Sequence, residues 1–299
     1  MLGIFLIIAS CFIWAIDTLF RYPLLKTGIS ATHIVFFEHL FLLLIFFPTF
    51  YRAPLKFFKA RPSHYLSFLV IGVFGSALAT LAFTSAFMLI NPSVVILLQK
   101  LQPLVAIVMA HLVVGERFNR QFFLWAAICL LGSGLIAFQD MVQGISALDF
   151  SVNFFADKAL KGYGLALLAV IGWGASTVFG KKLSLGGFEE KEIMAGRYTL
   201  GLITLAPFAL FDPTSFDGSF VVWRTILIMA LLTGVISMYL YYQGLKRISA
   251  RLCALLELSF PFAAVLVNWI FLKIPVTSLQ LLGGLLLLLG STIIQLKKY

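Results

Sequence analysis

Charge is the scarcest feature of this 299-residue sequence: Asp, Glu, Lys and Arg make up 11% of it, against 61% apolar residues. A soluble globular chain carries about 25% charged residues, so the composition excludes an ordinary soluble fold. Cysteine is nearly as scarce. Cys11, Cys129 and Cys253 each fall inside an apolar run, where they offer neither a disulfide framework nor metal-ligand spacing and read as small packing residues. A phosphate-binding glycine loop, a His-Glu-x-x-His zinc motif and a Gly-x-Ser-x-Gly turn are all missing. These absences argue against an ATP-driven pump and the commonest hydrolases, and no catalytic residue, metal ligand or cofactor is expected. The first apolar run has no basic residue before it and no small-residue cleavage site after it, so it reads as a spanning helix rather than a signal peptide.

What the sequence does contain is apolar runs near the length a bilayer-spanning helix needs, about 20 residues. They fall at roughly 2–20, 31–50, 65–88, 92–113, 121–138, 162–180, 192–211, 223–243, 249–271 and 278–296. The prediction is an all-α membrane protein of ten transmembrane helices. With the N-terminus in the cytoplasm, thirteen Lys and Arg fall in cytoplasmic connections and six on the other side. That bias predicts a multi-pass protein of the cytoplasmic (inner) membrane with both termini cytoplasmic. It also explains the formal charge of +10 without any nucleic-acid partner. The basic, Phe-containing segment at 52–62 fits either this topology signal or a contact with anionic headgroups.

The sequence repeats itself. Shifted by 159, Trp14 falls on Trp173, Thr18 on Thr177, Phe20 on Phe179, Gly28 on Gly187 and Pro48 on Pro207. Shifted by 158 in the later part, Pro103 falls on Pro261, Ala106 on Ala264, and Leu131-Gly132-Ser133 on Leu289-Gly290-Ser291. This predicts a first five-helix repeat over 1–140, a polar outer connection over 141–160 and a second repeat over 161–299. Five is odd, so the second repeat enters the membrane in the opposite sense. Inverted repeats are a recurring plan of secondary transporters, with the substrate near the midplane between them.

Several stretches carry a family resemblance: FIWAIDTLF, LQKLQPLVAIVMAHLVVGERF and LGSGLI in the first half, and GWGASTVFGKK, MAGRYTLGL, ELSFPFAAVLVNWIF and LGSTII in the second. Across essentially its whole length the chain resembles the EamA-domain transporters of the drug/metabolite transporter superfamily. The resemblance implies two five-helix halves and transport of a small molecule. There are departures. The Gly115-Glu116-Arg117 turn typical of the family has Lys273-Ile274-Pro275 as its counterpart in the second half. The basic residue that the resemblance implies in the second helix of a half is Arg197, but its counterpart is Glu38. The four-helix relatives carry a membrane acid about where this chain has Trp14, so their proton-coupled multidrug mechanism is not carried over.

Charged residues inside spans are costly and normally face the bundle interior or a water-filled cavity. Lys100 and Glu257 each lie one turn before a proline, Pro103 or Pro261, the predicted hinges. Proline frees a backbone carbonyl, which a membrane tolerates where neighbours or cavity water satisfy it. Gln99 and Gln102 flank Lys100 in a polar patch unsuited to lipid. Lys100, Gln99, Gln102 and Glu257 are therefore candidate substrate-binding residues, with a structural ion pair as the competing reading for Lys100 and Glu257. Trp14, Trp173 and Tyr239 are candidate cavity walls, with core packing as the alternative for the tryptophans. Glu38, Asp17 and Arg197 are candidates for coupling or gating, with structural pairing as the competing reading; for Asp17 that reading is an i,i+4 pair with Arg21. His39 points about 100° away from Glu38 on a helix and is expected to pack away from any cavity they would otherwise share.

Together these point to a secondary transporter of a small polar metabolite working by alternating access. Cavity charges of both signs suit an amino acid or related zwitterion. The alternatives are an exchanger of anionic or nucleotide-like metabolites and a proton-coupled exporter of cations. An intramembrane enzyme or lipid-handling scaffold is the remote alternative, since neither needs two oppositely inserted copies. Protons are a candidate coupling partner, and the lipid bilayer is the solvent; the sequence leaves the oligomeric state open.

Overall fold

The computed structural model describes residues 2–52, 61–114, 120–147, 158–216, 218–248, 253, 256–257 and 259–296. Among them every regular element is helical. The helices are α1 (Leu2–Lys26), α2 (Ala31–Arg52), α3 (Pro62–Ala86), α4 (92–114), α5 (Arg120–Ala147), α6 (Lys158–Leu185), α7 (Glu190–Leu210), α8 (Phe220–Arg247), α9 (Ser259–Phe271) and α10 (Ser278–Leu296). Among the described residues α1, α2, α3, α6, α7 and α8 are long and apolar enough to cross a membrane. The other four expected spans are helical where described. Two of them are interrupted: α4 tightens into a 3-10 turn at Gln99–Leu101, and the ninth span has a turn at Glu257 between helical Leu256 and the segment Ser259–Phe271.

The prolines respect these breaks. Pro103 and Pro261 are the second and third residues of the segments Gln102–Val114 and Ser259–Phe271. In the first turn a helix has no use for the missing N–H, so both sit at the start of a segment rather than mid-helix as the sequence suggests. The connection expected at 141–160 is shorter than its polarity implies, because α5 continues to Ala147 and α6 begins at Lys158. Most of the basic segment at 52–62 and the Gly115-Glu116-Arg117 turn lie outside the described residues.

Helix starts follow local chemistry. The Asn91 side chain accepts from the Ser93 N–H at 2.8 Å, with Pro92 at the first helical position of α4. Glu189 and Glu192 close a capping box on α7, and Thr277 with Gln280 exchange bonds at the start of α10. In the 211–219 connection, partial burial works against the charge of Asp212. Hydrogen bonds from the Thr214 side chain and N–H, and from Ser30 at the head of α2, nevertheless hold its carboxyl down at about 2.

Gly28 and Gly187, 159 apart, end the α1–α2 and α6–α7 turns with φ of +94° and +87°. An added Cβ meets nothing within 4 Å at either position, so only backbone strain opposes a side chain there. Gly28→Ala and Gly187→Ala are each expected to cost about 1 kcal/mol, read as matching losses in thermal unfolding of the purified protein. A much larger loss at one of them would show that packing, not backbone conformation, fixes that turn.

Two apolar cores lie toward opposite ends of the bundle. α1 gives Ile7 and Cys11 to one and Ala15, Leu24 and Leu25 to the other; α6 likewise splits Phe179 and Leu183 from Tyr163, Ala166 and Val170. Trp14 and Asp17 of α1 and Trp173, Ser176 and Thr177 of α6, where these sets adjoin, face a cavity. α5 and α10 pair with each other, Gly290 seated against Cys129 and the Trp125 carbonyl, and none of their described residues lines the cavity.

Candidate functional site

The cavity measures ≈ 190 Å³, several times the roughly 30 Å³ share of one liquid water, so it has room for a small solute. Its lining pairs residues across the repeat. At a spacing of 159, Trp14 joins Trp173, Asp17 joins Ser176, Glu38 joins Arg197 and His39 joins Tyr198. At 158, Phe83 joins Tyr241, Gln99 joins Glu257 and Gln102 joins Phe260.

One wall is charged. Arg21 reaches Asp17 through Nε at 2.5 Å and Nη2 at 2.9 Å, and Glu38 through Nη2 at 3.0 Å and 3.2 Å. Thr233 donates to Glu38 Oε1 at 3.5 Å. One guanidinium thus serves a buried carboxylate, Glu38, and a partly buried one, Asp17, and the bidentate geometry makes these strong, charge-assisted bonds. The i,i+4 pair expected from sequence is present, but it is partly buried and extends to α2. Arg21 was placed outside its span because that span reads as ending at residue 20; α1 instead continues to Lys26.

Arg197 has only neutral partners among the described residues. It donates to the Gly75 carbonyl at 3.0 Å, Ser76 Oγ at 3.3 Å and Tyr242 OH at 3.3 Å. His39 lies beside it. Its Nδ1 is 2.8 Å from the Val35 carbonyl, which can only accept, so Nδ1 carries the proton and Nε2 accepts from Ser76 Oγ at 2.9 Å. Both Glu38 and His39 border the cavity, contrary to the expectation that their 100° separation would keep them apart. The cavity wraps around two adjacent faces of α2, with Arg21 meeting one and the Ser76–Arg197 pair the other.

The carbonyl that Arg197 takes belongs to a π-helical stretch of α3, Val70–Leu78. Tyr198 OH takes the Gly234 carbonyl at 2.6 Å, in the π-helical stretch Ala230–Ser237 of α8. Gly75 and Gly234 are 159 apart. Such stretches misalign the backbone ladder and recur at functional sites; here consecutive α7 side chains satisfy both.

Glu257 lies opposite in chemistry. Its carboxylate accepts from Gln102 Nε2 at 2.6 Å, Tyr241 OH at 2.9 Å and Cys253 Sγ at 3.3 Å, with no cation in ion-pair reach among the described residues. Gln99 lines the cavity and its Nε2 has no hydrogen-bond partner. A buried unmade donor costs about 1–3 kcal/mol. The side chains of Lys100, Pro103 and Pro261 lie outside the described residues.

Aromatic rings complete the walls. Trp14 packs against Tyr241 (centroids 5.4 Å) and Phe260 (6.4 Å), its Nε1 donating to the Thr233 carbonyl at 3.2 Å. Trp173 packs against Phe83 at 5.0 Å. Tyr239 is elsewhere: it is partly exposed, and its hydroxyl accepts from Gln243. The tyrosine on this wall is Tyr241, two residues on, on another face of α8. No sequence signal singled out Phe83 or Phe260, because 31 phenylalanines in one chain make any single one uninformative.

Comparison with known proteins bears on this site. A solved structure superposes with a TM-score of 0.66 at 14% identity, over 99% of this chain and 96% of that one, a likeness of fold alone. The riboflavin transporter ImpX of Fusobacterium nucleatum is 29% identical over 298 residues, 96% of this chain and 95% of that protein. The transporter YetK of Bacillus subtilis is 30% identical over 143 residues, 47% of this chain and 43% of its own. The transporter sll1164 of Synechocystis is 24% identical over 274 residues, 89% of this chain and 76% of that one. The EamA-like transporter family profile matches residues 1–138 and 160–296, nearly the whole sequence in two blocks that meet where the two halves of the cavity lining divide, and this chain therefore belongs to the EamA-like transporter family.

Proposed function

We propose that this chain carries a flat, uncharged ring compound with polar edges across the membrane by alternating access, with a riboflavin-type molecule as the leading cargo. The observation that carries the reading is the cavity wall. Six aromatic side chains, Trp14, Phe83, Trp173, Tyr198, Tyr241 and Phe260, share it with the amides of Gln99 and Gln102. Aromatic faces suit a planar cargo, and a few fixed polar groups suit its edges. Asp17 and Glu38 are already held by Arg21, which leaves less acid for a cationic cargo. The relative named a riboflavin transporter aligns along nearly the full length and supports the same class.

Two oppositely inserted five-helix repeats, over 1–140 and 161–299, would supply the alternation. The paired lining residues, the two positive-φ glycines and the two π-helical stretches at matching positions support that plan. The halves are packed unequally. Gly75 and Gly172 bring the α3 and α6 backbones together, a Cβ on Gly172 lying 2.7 Å from the Phe74 carbonyl. At the counterpart position the contact between α1 and α8 runs through the Trp14 side chain instead. In this reading the α3–α6 contact at Gly75 and Gly172 is a closed gate, and its counterpart between α1 and α8 beside Trp14 tightens in the other state. The Lys and Arg bias places both termini in the cytoplasm.

A second reading keeps the amino acid expected from sequence. Arg197 without a carboxylate and Glu257 without a cation suit the two ends of a zwitterion. Uptake of labelled riboflavin and of a labelled amino-acid mixture into proteoliposomes, with and without a pH gradient, separates the readings. Saturable riboflavin uptake that amino acids do not compete supports the first. Amino-acid uptake alone selects the second. Neither flux from folded protein sinks both, and dependence on the gradient identifies protons as the coupling ion.

A further inference from the structure

We infer that the Gln99 amide is the specificity-determining donor of this transporter, and that it reads a ring carbonyl of the cargo, of the imide or lactam type. The inference rests on the planar-ring reading above and adds the atom that does the recognition.

Gln99 begins the single 3-10 turn of α4, Gln99–Leu101. In 3-10 geometry residues three apart eclipse each other, so Gln99 and Gln102 are brought to one face, and both line the cavity. Their situations then differ. Gln102 is committed, its Nε2 donating to Glu257 at 2.6 Å. Gln99 is 6% exposed, yet its Nε2 has no partner among the described residues. One amide is fixed by the protein, and the other keeps a buried donor at the cavity wall that no described group of the chain meets.

The counterpart of Gln99 at the 158 offset is Glu257, whose oxygens are met by three donors of the chain itself. The two equivalent positions are therefore opposite in hydrogen-bonding sense, and only the donor is unfilled. The other unpaired buried polar atom, Asn268 Oδ1, belongs to a residue that does not border the cavity, and its amide reaches Ser93 at 3.4 Å. A cargo entering the cavity meets aromatic walls and one amide N–H needing an acceptor. A carbonyl on a flat ring supplies that acceptor in the plane of the ring, at its edge, where a side chain beside a stacking wall can reach it. Ammonium and alkyl groups cannot, because they have no lone pair to offer.

The test uses purified full-length protein in lipid nanodiscs, with binding read by quenching of flavin fluorescence. The probes are riboflavin and its 2-thio and 4-thio analogues, in which a carbonyl oxygen is replaced by sulfur, a poorer acceptor. Wild type is expected to bind riboflavin about tenfold tighter than one of the analogues. Gln99→Met should bind riboflavin about tenfold more weakly and no longer distinguish that analogue. Gln99→Glu, which accepts but does not donate, should weaken binding equally. Without ligand, Gln99→Met should melt no lower than wild type, because it removes an unpaired donor. Wild-type affinity in Gln99→Met or Gln99→Glu, or an unchanged sulfur penalty in Gln99→Met, overturns the inference and leaves the planar-ring reading standing. If wild type binds neither flavins nor the simpler imides lumazine and uracil, the planar-ring reading has failed and this inference falls with it.

Discussion

Arg21→Ala should yield little folded protein. It leaves Asp17 and Glu38, both now held by one guanidinium at 2.5–3.2 Å, as a partly buried and a buried acid without a cation. Removing one partner of a buried ion pair costs about 3–5 kcal/mol, and total stabilities run only about 5–15 kcal/mol. The measurement is the monodisperse yield from size exclusion, with thermal unfolding of whatever folds. Removing all three charges together, as Asp17→Asn, Arg21→Met and Glu38→Gln, should recover most of the yield, since no orphaned charge remains. If the triad is only structural, the triple variant also transports. If it couples or gates, the triple variant folds and binds riboflavin but does not accumulate it. A normal yield from Arg21→Ala alone would mean that the carboxylates find another partner or that water reaches them.

Gly75→Val should bias the protein toward one access state without abolishing binding. A Cβ on Gly75 would lie 1.6 Å from Ser176 Oγ and 3.2 Å from the Gly172 carbonyl, so α3 and α6 cannot approach as they do here. Overpacking of this kind costs about 1–3 kcal/mol, and the cost falls only on the state in which the two helices touch. By population arithmetic that is roughly a ten- to hundredfold shift toward the opposite state. Labelling a cysteine at Thr80, in the cavity wall, with impermeant reagents from each side of the membrane reads the shift. Riboflavin uptake should fall in proportion. Gly234→Val is the paired control. Its nearest neighbours are the branched end of Leu42, which can move, so in the present state it costs less. It should then hinder closure at the other side and shift labelling in the opposite sense. Equal shifts in the same direction would refute the two-gate reading.

The candidate site was legible in part. Few residues in this chain carry charge, and lipid tolerates none of them at depth, so Asp17, Glu38, Arg197 and Glu257 stood out by position alone. Gln99 and Gln102 stood out because two amides within four residues do not belong in an apolar span. What could not be read was partnership. Arg21 sat beyond the predicted end of its span, and its reach to Glu38 depends on α2 lying beside it. Tyr239 is the tyrosine that the sequence offers as a wall, but the rotation of α8 puts Tyr241 on Glu257, Tyr242 on Arg197 and Tyr239 toward the exterior.

Some properties were therefore fixed before any folding. Composition and span length dictate helices in a membrane, because backbone groups in lipid must be satisfied within their own segment. The repeat offsets of 159 and 158 tie each residue of the first half to a counterpart in the second. The tertiary structure alone decided which of those counterparts face one another across a cavity, that Arg21 holds two acids while Arg197 holds none among the described residues, and that α3 and α6 touch backbone to backbone at Gly75 and Gly172. Those outcomes depend on distances between segments far apart in sequence. Periodicity along one helix says which way a side chain turns, but not what another helix brings to meet it.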